Sequence, residues 1–256
     1  MNLRGFPWRV LTRKRYDRLR MAEEERVRVS RRFSFLEEMP EAMAGFFIKN
    51  FANSPAQLHQ DLFVLWETRK KKNGFFVEIG ACDGLLFSNT YLLEKEYGWK
   101  GILVEPASCW WNELGRNRQA LISHDFIAGQ SGKTVLFNQA TQPEYSGAKE
   151  RAEHDHNASR RAGGIEYPVQ TLSLEDLLIR LQAPPVIDFL SIDVEGGEYD
   201  ILSGYPFEKH SIRIIFCEHN FTPQREKIHT LLTGRGYQRR YEEFSGFDDW
   251  YFQAER

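Results

Sequence analysis

Short apolar segments alternate with helical segments from residue 75 onward, and this alternation constrains the fold more than any other feature of the chain. Such alternation is typical of βαβ units, which build a parallel sheet that is covered by helices on both faces. We therefore expect an α/β fold with a mostly parallel seven-stranded sheet and helices on both faces. The expected strands are 75–79, 101–104, 120–123, 186–192, 212–217 and, closing the sheet, 237–241 and 250–252.

The composition excludes several classes of protein. The 256 residues are 41% apolar and 27% charged, which is close to the globular average and excludes bulk disorder. Three cysteines, Cys82, Cys109 and Cys217, are too few for a disulfide framework, and their odd number predicts reduced thiols. The sequence has neither an apolar run long enough to span a membrane nor one of signal-peptide type, so we expect a cytoplasmic protein.

The beginning of the chain is basic and the remainder is acidic. Residues 1–32 contain eleven Lys/Arg and four Asp/Glu, a charge of +7, which leaves −9 for the rest of a chain whose net charge is −2. We expect a largely helical basic arm over residues 1–53 and one domain over residues 54–256. The arm suits either a solvated helix with internal charge pairs or a peripheral contact with anionic lipid at the inner membrane face. No motif supports a nucleic-acid partner, and a homo-oligomer stays open.

One polar segment interrupts the alternation of strands and helices. Residues 139–164 are rich in Glu, Arg, His, Ser and Gly. Loops of this length are unusual in compact domains and often cover a site. We expect a mobile loop over the active site, with a plain surface insertion as the alternative.

A glycine-bearing turn follows the first expected strand and predicts a ligand site. Gly80 and Gly84 allow close backbone approach, but they do not complete a dinucleotide motif, and no phosphate loop exists in the chain. Glu105 ends the second strand 21 residues after Gly84, a spacing suited to a ribose diol. Glu78 and Asp83 add negative charge. This acidic setting favours a ligand with a ribose and a positive charge, such as S-adenosylmethionine, unless the glycines only shape a turn.

Several motifs in this order resemble one protein family. They are G-A-x-x-G at 80–84 after the strand, S-N-T at 88–90, E-P at 105–106 and I-D-V-E-G-x-E at 192–198. Over about residues 54–240 the chain resembles the FkbM-type methyltransferases, which are S-adenosylmethionine-dependent and have a Rossmann-like methyltransferase fold. The combination is specific, whereas any single motif is weak.

The resemblance implies a set of cofactor contacts. It places Ser88 and Asn89 beside the cofactor and Asp125 and Phe126 beside the adenine, although the last two depart from the small residues usual there. The direct contacts that it implies, to which we add the negative charge of Asp83, are Glu78, Gly80, Ala81, Gly84 and Glu105.

Acidic side chains and a histidine follow the fourth and fifth expected strands. Asp193 and Glu195 are two residues apart, so they share a face if the strand extends that far. Clustered carboxylates are costly unless they are paired, hydrogen-bonded or metal-bound. Cofactor ammonium contact, substrate hydroxyl contact and a metal stay open. We assign no metal ligand, but Mg²⁺ would suit such residues better than zinc. His219 follows the fifth strand and is a candidate general base.

These residues predict a reaction. We expect O-methylation of a hydroxyl, in which Asp193 or His219 accepts the proton and Glu195 orients the acceptor. The resemblance implies a sugar or glycan hydroxyl, and the basic arm would suit a lipid-linked glycan. The alternatives are methylation of a natural-product hydroxyl, a non-catalytic binding module on the same fold and a carboxylate-metal hydrolase.

Overall fold

A computed structural model describes residues 26–27, 29–149, 158–161 and 163–254. The chain divides into two compact units, Met1–Ala52 and Asn53–Arg256. About half of the predicted basic arm, residues 1–25 and 28, lies outside the described residues. Among the helices that are described, none has both the length and the apolar character needed to cross a membrane.

The first unit contains two helices, α1 (residues 29–38) and α2 (Glu41–Asn50). Pro40 separates them, at a position where its fixed φ suits a helix start. Phe35, Met39 and Phe47 are buried. Phe33 and Ile48 are exposed.

In the second unit, eight further helices and eleven strands fall within the described residues. The helices are α3 (Gln60–Glu67), α4 (Tyr91–Tyr97), α5 (Trp111–Asn117), α6 (Ala158–Arg161), α7 (Leu174–Arg180), α8 (Glu198–Ser203), α9 (Gln224–Gly234) and α10 (Glu242–Ser245). The strands are β1 (Phe75–Ile79), β2 (Lys100–Val104), β3 (Leu121–Ser123), β4 (Phe126–Ala128), β5 (Thr134–Ala140), β6 (Gly147–Ala148), β7 (Gly164–Ser173), β8 (Val186–Ile192), β9 (Ser211–Glu218), β10 (Tyr237–Arg240) and β11 (Asp248–Gln253).

The main sheet has seven strands in the order β10-β11-β9-β8-β1-β2-β3. Neighbours from β9 to β3 are parallel, and β11 runs antiparallel between β9 and β10. The predicted α/β fold with a mostly parallel seven-stranded sheet is therefore confirmed. Because β1 lies between β2 and β8, the carboxyl ends of these strands meet at one edge of the sheet.

Both faces of the sheet are packed against helices, as predicted. One face contacts α7, α8 and α9 through an aliphatic cluster that includes Val77, Ile79, Leu177, Ile201 and Ile228. The other face carries aromatic rings. The ring of Phe216 stacks on Trp250 at 4.8 Å, and Trp250 contacts Phe63 of α3 at 4.5 Å between ring centroids. Alternate side chains of each strand supply the two layers.

The segment predicted as a mobile loop contains regular structure. Residues 139–164 include the end of β5, a 3₁₀ turn (Pro143–Tyr145), β6 and α6, while residues 150–157 and 162 lie outside the described residues. β5 pairs antiparallel with β7 in a second sheet of order β4-β7-β5-β6. The expectation of a loop over this whole segment is therefore wrong. These strands were not predicted because they are half exposed and lack a long apolar run. Its mobility stays a prediction.

Arg118, which follows α5, is a buried cation that joins β1 to the segment after it. Its guanidinium lies 3.5 Å from the carboxylate of Glu78, and its side chain is completely buried. Its nitrogens donate to Gly84 O, Ser88 Oγ, Thr90 Oγ1 and Glu94 Oε2 at 2.8–3.1 Å. Removing this cation would take away the counter-charge of buried Glu78, whereas Glu94 also contacts Lys95 at 3.2 Å.

We expect Arg118→Met to lower the free energy of unfolding by about 3–5 kcal/mol, because breaking a buried pair leaves an uncompensated charge. Urea denaturation measures the change. The matched control is Arg116→Met in the same region, since the side chain of Arg116 is 78% exposed. The control should change the free energy by less than about 1 kcal/mol. Equal losses in the two variants would contradict a structural role for Arg118.

Candidate active site

A cavity lies at the carboxyl ends of β1, β2, β8 and β9, and the second sheet forms part of its wall. Of the predicted site residues, those that line it are Glu78, Gly80, Asn89, Glu105, Asp125, Phe126, Asp193 and Glu195. Its lining does not include Ala81, Asp83, Gly84, Ser88 or His219. Most of the predicted site residues therefore line one cavity, and the others lie outside its lining.

The glycine-bearing turn brings β1 and β8 into close contact. Gly80 has φ +95°, and a Cβ at this position would overlap the carbonyl oxygen of Asp193. The backbone N–H of Asp193 donates to Ile79 O at 3.0 Å. Gly84, at φ +81°, leaves room for the side chain of Arg118. Glycine is needed at both positions because other residues rarely adopt this backbone conformation without strain.

Glu78 holds the turn that begins α4. Its carboxylate accepts hydrogen bonds from Ser88 Oγ at 2.9 Å, Asn89 N at 2.6 Å and Thr90 Oγ1 at 2.6 Å. Asn89 is thereby fixed beside the cavity, where its Nδ2 donates to Ser191 Oγ at 2.9 Å. Asn89 Oδ1 is buried and has no hydrogen-bond partner among the residues that the structure describes. It is an acceptor available to a cationic or N–H ligand group.

Ala81 and Asp83 shape the turn itself. The N–H of Ala81 donates to Val104 O at 3.1 Å. Asp83 Oδ1 accepts from the N–H groups of Leu85 and Leu86 at 2.8 and 2.6 Å. Asp83 is therefore a turn-forming residue in this structure rather than a cavity wall.

Glu105 ties the turn after β1 to the turn after β2. Its Oε2 accepts from Cys82 N at 2.8 Å and its Oε1 from Ala107 N at 2.7 Å. Burial raises the pKa of Glu105 to about 7, although both N–H donors oppose the shift. Each oxygen keeps a lone pair, so a diol that approaches from the cavity can donate to it.

Asp125 and Phe126 lie on another wall of the cavity. Asp125 is paired with Arg180 and accepts from Ser123 Oγ, and the hydrogen bond from Arg180 lowers the pKa of Asp125. Phe126 packs edge-on against Phe137 of β5 at 5.9 Å. This wall thus combines a flat apolar surface with a carboxylate that is already neutralised.

Three acidic side chains converge at the ends of β8 and β9. Oxygens of Asp193, Glu195 and Glu218 lie within 4.8 Å of one another. Glu195 pairs with buried Arg161 of α6 at 2.6 Å. Asp193 and Glu218 face each other in the cavity. The pKa of Asp193 is raised mainly by burial and secondly by the charge of Glu195. The pKa of Glu218 is raised mainly by burial and secondly by the charge of Asp193.

Mg²⁺ does not fit this cluster in the described arrangement. Carboxylate ligands bind a cation in their ionised form. Glu195 is instead paired with Arg161, and the raised pKa values of Asp193 and Glu218 disfavour their ionised forms. Proximity would permit a cation, but both features compete with it. The structure therefore gives the Mg²⁺ prediction no support.

The geometry argues against His219 as general base. Its Nε2 lies 3.0 Å from Asp248 O, and its Nδ1 accepts from Phe221 N at 3.0 Å. The ring is buried and lies outside the cavity lining, and burial lowers the pKa of His219. Both ring nitrogens thus contact backbone atoms, one in β11 and one just after β9, and neither is available to a substrate.

Sequence reasoning missed several cavity residues. Glu218 is the last residue of β9, so the argument that placed Glu105 at a strand end also applied to it. Tyr145 and Arg160, whose guanidinium lies 5.0 Å from the Tyr145 ring centre, line the cavity and come from the polar segment. Arg161 of the same segment is outside the lining and pairs with Glu195. No local pattern marks them, because long-range pairing of β5 with β7 positions them.

The model of one protein family, the methyltransferase FkbM domain, matches residues 78–245, about two thirds of the chain. The chain belongs to the FkbM methyltransferase family. The fold is therefore a Rossmann-like methyltransferase fold, and membership supports S-adenosylmethionine-dependent methyl transfer. The cavity fits this cofactor, because it offers the buried Glu105 carboxylate and the unpartnered Asn89 oxygen.

Solved structures of methyltransferases are similar to this chain at low sequence identity. A precorrin-6y C5,15-methyltransferase from Geobacter metallireducens is 11% identical over 70% of this chain and 71% of its own, with a TM-score of 0.41. The METTL16 methyltransferase domain is 14% identical over 79% of this chain and 69% of its own, with a TM-score of 0.43. The human METTL16 N-terminal domain with S-adenosylhomocysteine (SAH) is 13% identical over 78% of this chain and 72% of its own, with a TM-score of 0.36. A search of curated protein sequences finds no match.

We expect the affinity for SAH to be about tenfold weaker at pH 6 than at pH 8. The reason is that the ribose hydroxyls donate to ionised Glu105, whose pKa is about 7. Below that pH the carboxyl must first lose its proton, and binding should release it. Titration calorimetry in buffers of different ionisation enthalpy measures both effects.

Glu105→Gln is the control, with its fold checked by circular dichroism. This variant should bind more weakly at pH 8 and should lose the pH dependence between 6 and 8. An unchanged pH dependence in Glu105→Gln would remove Glu105 from the ribose site.

Proposed function

We propose that the protein is an S-adenosylmethionine-dependent O-methyltransferase that acts on a hydroxyl of a sugar or glycan. The observation that carries the proposal is Asp193, a carboxylate at the end of β8 that lines the cavity beside the Gly80 turn. When bound, S-adenosylmethionine supplies a methyl group that its sulfonium has already activated. The protein therefore has to bind, orient and deprotonate the acceptor.

The setting of Asp193 suits proton abstraction from a hydroxyl. Burial and neighbouring acids raise the pKa of Asp193, so its ionised form is a stronger base than a solvated carboxylate. With His219 engaged in backbone contacts, Asp193 is the candidate base of the two predicted. In the reaction the hydroxyl oxygen forms the bond to the methyl group, and its proton passes to Asp193.

The remaining lining supports a sugar as the acceptor. Glu195 and Glu144 are acceptors for hydroxyl donors, while Phe87, Tyr145 and Phe247 offer aromatic surface. Carboxylates with aromatic rings suit a ligand that has hydroxyl edges and C–H faces. In this proposal Glu195, held by Arg161, orients the acceptor.

The basic arm adds a proposal on the acceptor's carrier. Its charge suits anionic lipid, and hence a lipid-linked glycan at the inner membrane face. Eight of the eleven Lys/Arg of residues 1–32 lie outside the described residues, in 1–25 and at 28.

Transfer of a labelled methyl group tests the proposal. The chain is incubated with labelled S-adenosylmethionine and a panel of free sugars, nucleotide sugars, lipid-linked glycans and phenols, and mass spectrometry locates the label. Label on a saccharide oxygen supports the proposal, and label on a phenolic oxygen favours a natural-product acceptor. Binding of SAH without transfer to any acceptor would indicate a non-catalytic module.

We expect Asp193→Asn to lower kcat by about 10²–10⁴-fold, because the amide cannot accept the hydroxyl proton. SAH affinity should stay within about threefold of the wild type, as calorimetry measures. Asp200→Asn, on the exposed side of α8, is the matched control and should keep the wild-type rate. Retained turnover in Asp193→Asn would exclude Asp193 as the base.

A further inference from the structure

Glu218 lies next to Asp193 because β8 and β9 are paired in parallel register. Ile192 is opposite Cys217, so the next residue of each chain segment, Asp193 and Glu218, are also neighbours. Both line the cavity, and a carboxyl oxygen of each lies within 4.8 Å of the other. No role follows for Glu218 from the family match or from the sequence motifs.

Two buried carboxyl groups this close favour a shared proton. Two ionised carboxylates would repel each other. An ionised carboxylate only accepts hydrogen bonds, so a bond between the two groups needs one protonated partner that donates. The geometry therefore favours a pair with one proton and a single negative charge.

The surroundings of the pair favour the retention of that proton. Within the described part of the chain, no lysine or arginine forms an ion pair with Asp193 or Glu218, and the cation nearest the cluster, Arg161, is paired with Glu195. Three carboxyl groups raise the pKa values of the pair: Glu195, which precedes α8, Glu198, the first residue of α8, and Asp248 of β11. Two thiols lie beside the pair, Cys217 of β9 and Cys82 after β1. All of these are neutral or negative.

Burial decides which partner keeps the proton. Glu218 is 7% exposed, whereas Asp193 is only partly buried and faces the cavity. Ionisation costs more for the more deeply buried acid. Glu218 is therefore the donor and Asp193 the ionised acceptor.

We propose that Glu218 is a positioning residue that, in its protonated form, donates a hydrogen bond to Asp193 and holds this carboxylate ionised toward the acceptor hydroxyl. The inference rests on the proposed function. During turnover Asp193 takes the hydroxyl proton, so that the pair briefly holds two protons, and one proton then passes to solvent. At high pH Glu218 loses its proton, the donor disappears and the rate falls.

Two variants of Glu218 test this role by kinetics, on whichever acceptor the labelling experiment identifies. Glu218→Ala removes the donor and should lower kcat by about 10–100-fold. Glu218→Gln keeps an N–H donor that does not titrate, so it should recover at least about tenfold of that loss. The fall in kcat at alkaline pH that we expect for the wild type should be absent in Glu218→Gln. An alkaline fall that persists in Glu218→Gln would overturn the proposal, as would equal losses in the two variants.

Infrared spectroscopy tests the proton itself and needs no acceptor. At pH 8 Glu105 should be ionised, so the carbonyl band of a protonated carboxylic acid should come from the Asp193–Glu218 pair. We expect this band in the wild type and in Glu105→Gln, and its loss in Glu218→Gln. No such band in the wild type would overturn the shared proton even if methyl transfer is found. Its presence without transfer to any acceptor would refute the proposed function and leave the pair intact.

Discussion

A carboxylate buried where strands end must be compensated, and the site depends on how each of its acids meets this requirement. An uncompensated charge in such a place would cost several kcal/mol. The structure uses donors from the turns and buried cations. These compensate Glu78 through residues 88–90, Glu105 through two backbone N–H groups and Glu195 through Arg161. For Asp193 we infer a proton shared with Glu218.

The same requirement explains the character of the cavity. The strand ends need close backbone contact, which Gly80 provides, and the resulting turns direct N–H groups inward to Glu105. The net result is an acidic surface with aromatic walls, which favours a cationic nucleoside over a nucleoside phosphate. The second sheet contributes Phe126 and Phe137 to the cavity wall, and the turn and helix beside it contribute Tyr145 and Arg161, so this region is part of the site rather than an addition to its surface.

The sequence was sufficient where the signal is local. The strand at 186–192 and the turn at Gly80 were predicted because apolar runs and glycines are properties of neighbouring residues. The second sheet was missed because its pairing joins residues 134–140 to 164–170 through polar, half-exposed strands. His219 was chosen as the base over Glu218 because the sequence shows that the two residues follow each other at the end of β9 but not which side chain faces the cavity. Which one faces it depends on how β9 is paired with β8.

A crystal structure of the chain grown with SAH tests the central claim most directly, because it locates the nucleoside. The account predicts the ribose hydroxyls within hydrogen-bond distance of Glu105, and the sulfur near Asp193. A nucleoside bound away from the cavity between Gly80, Glu105 and Asp193 would contradict it.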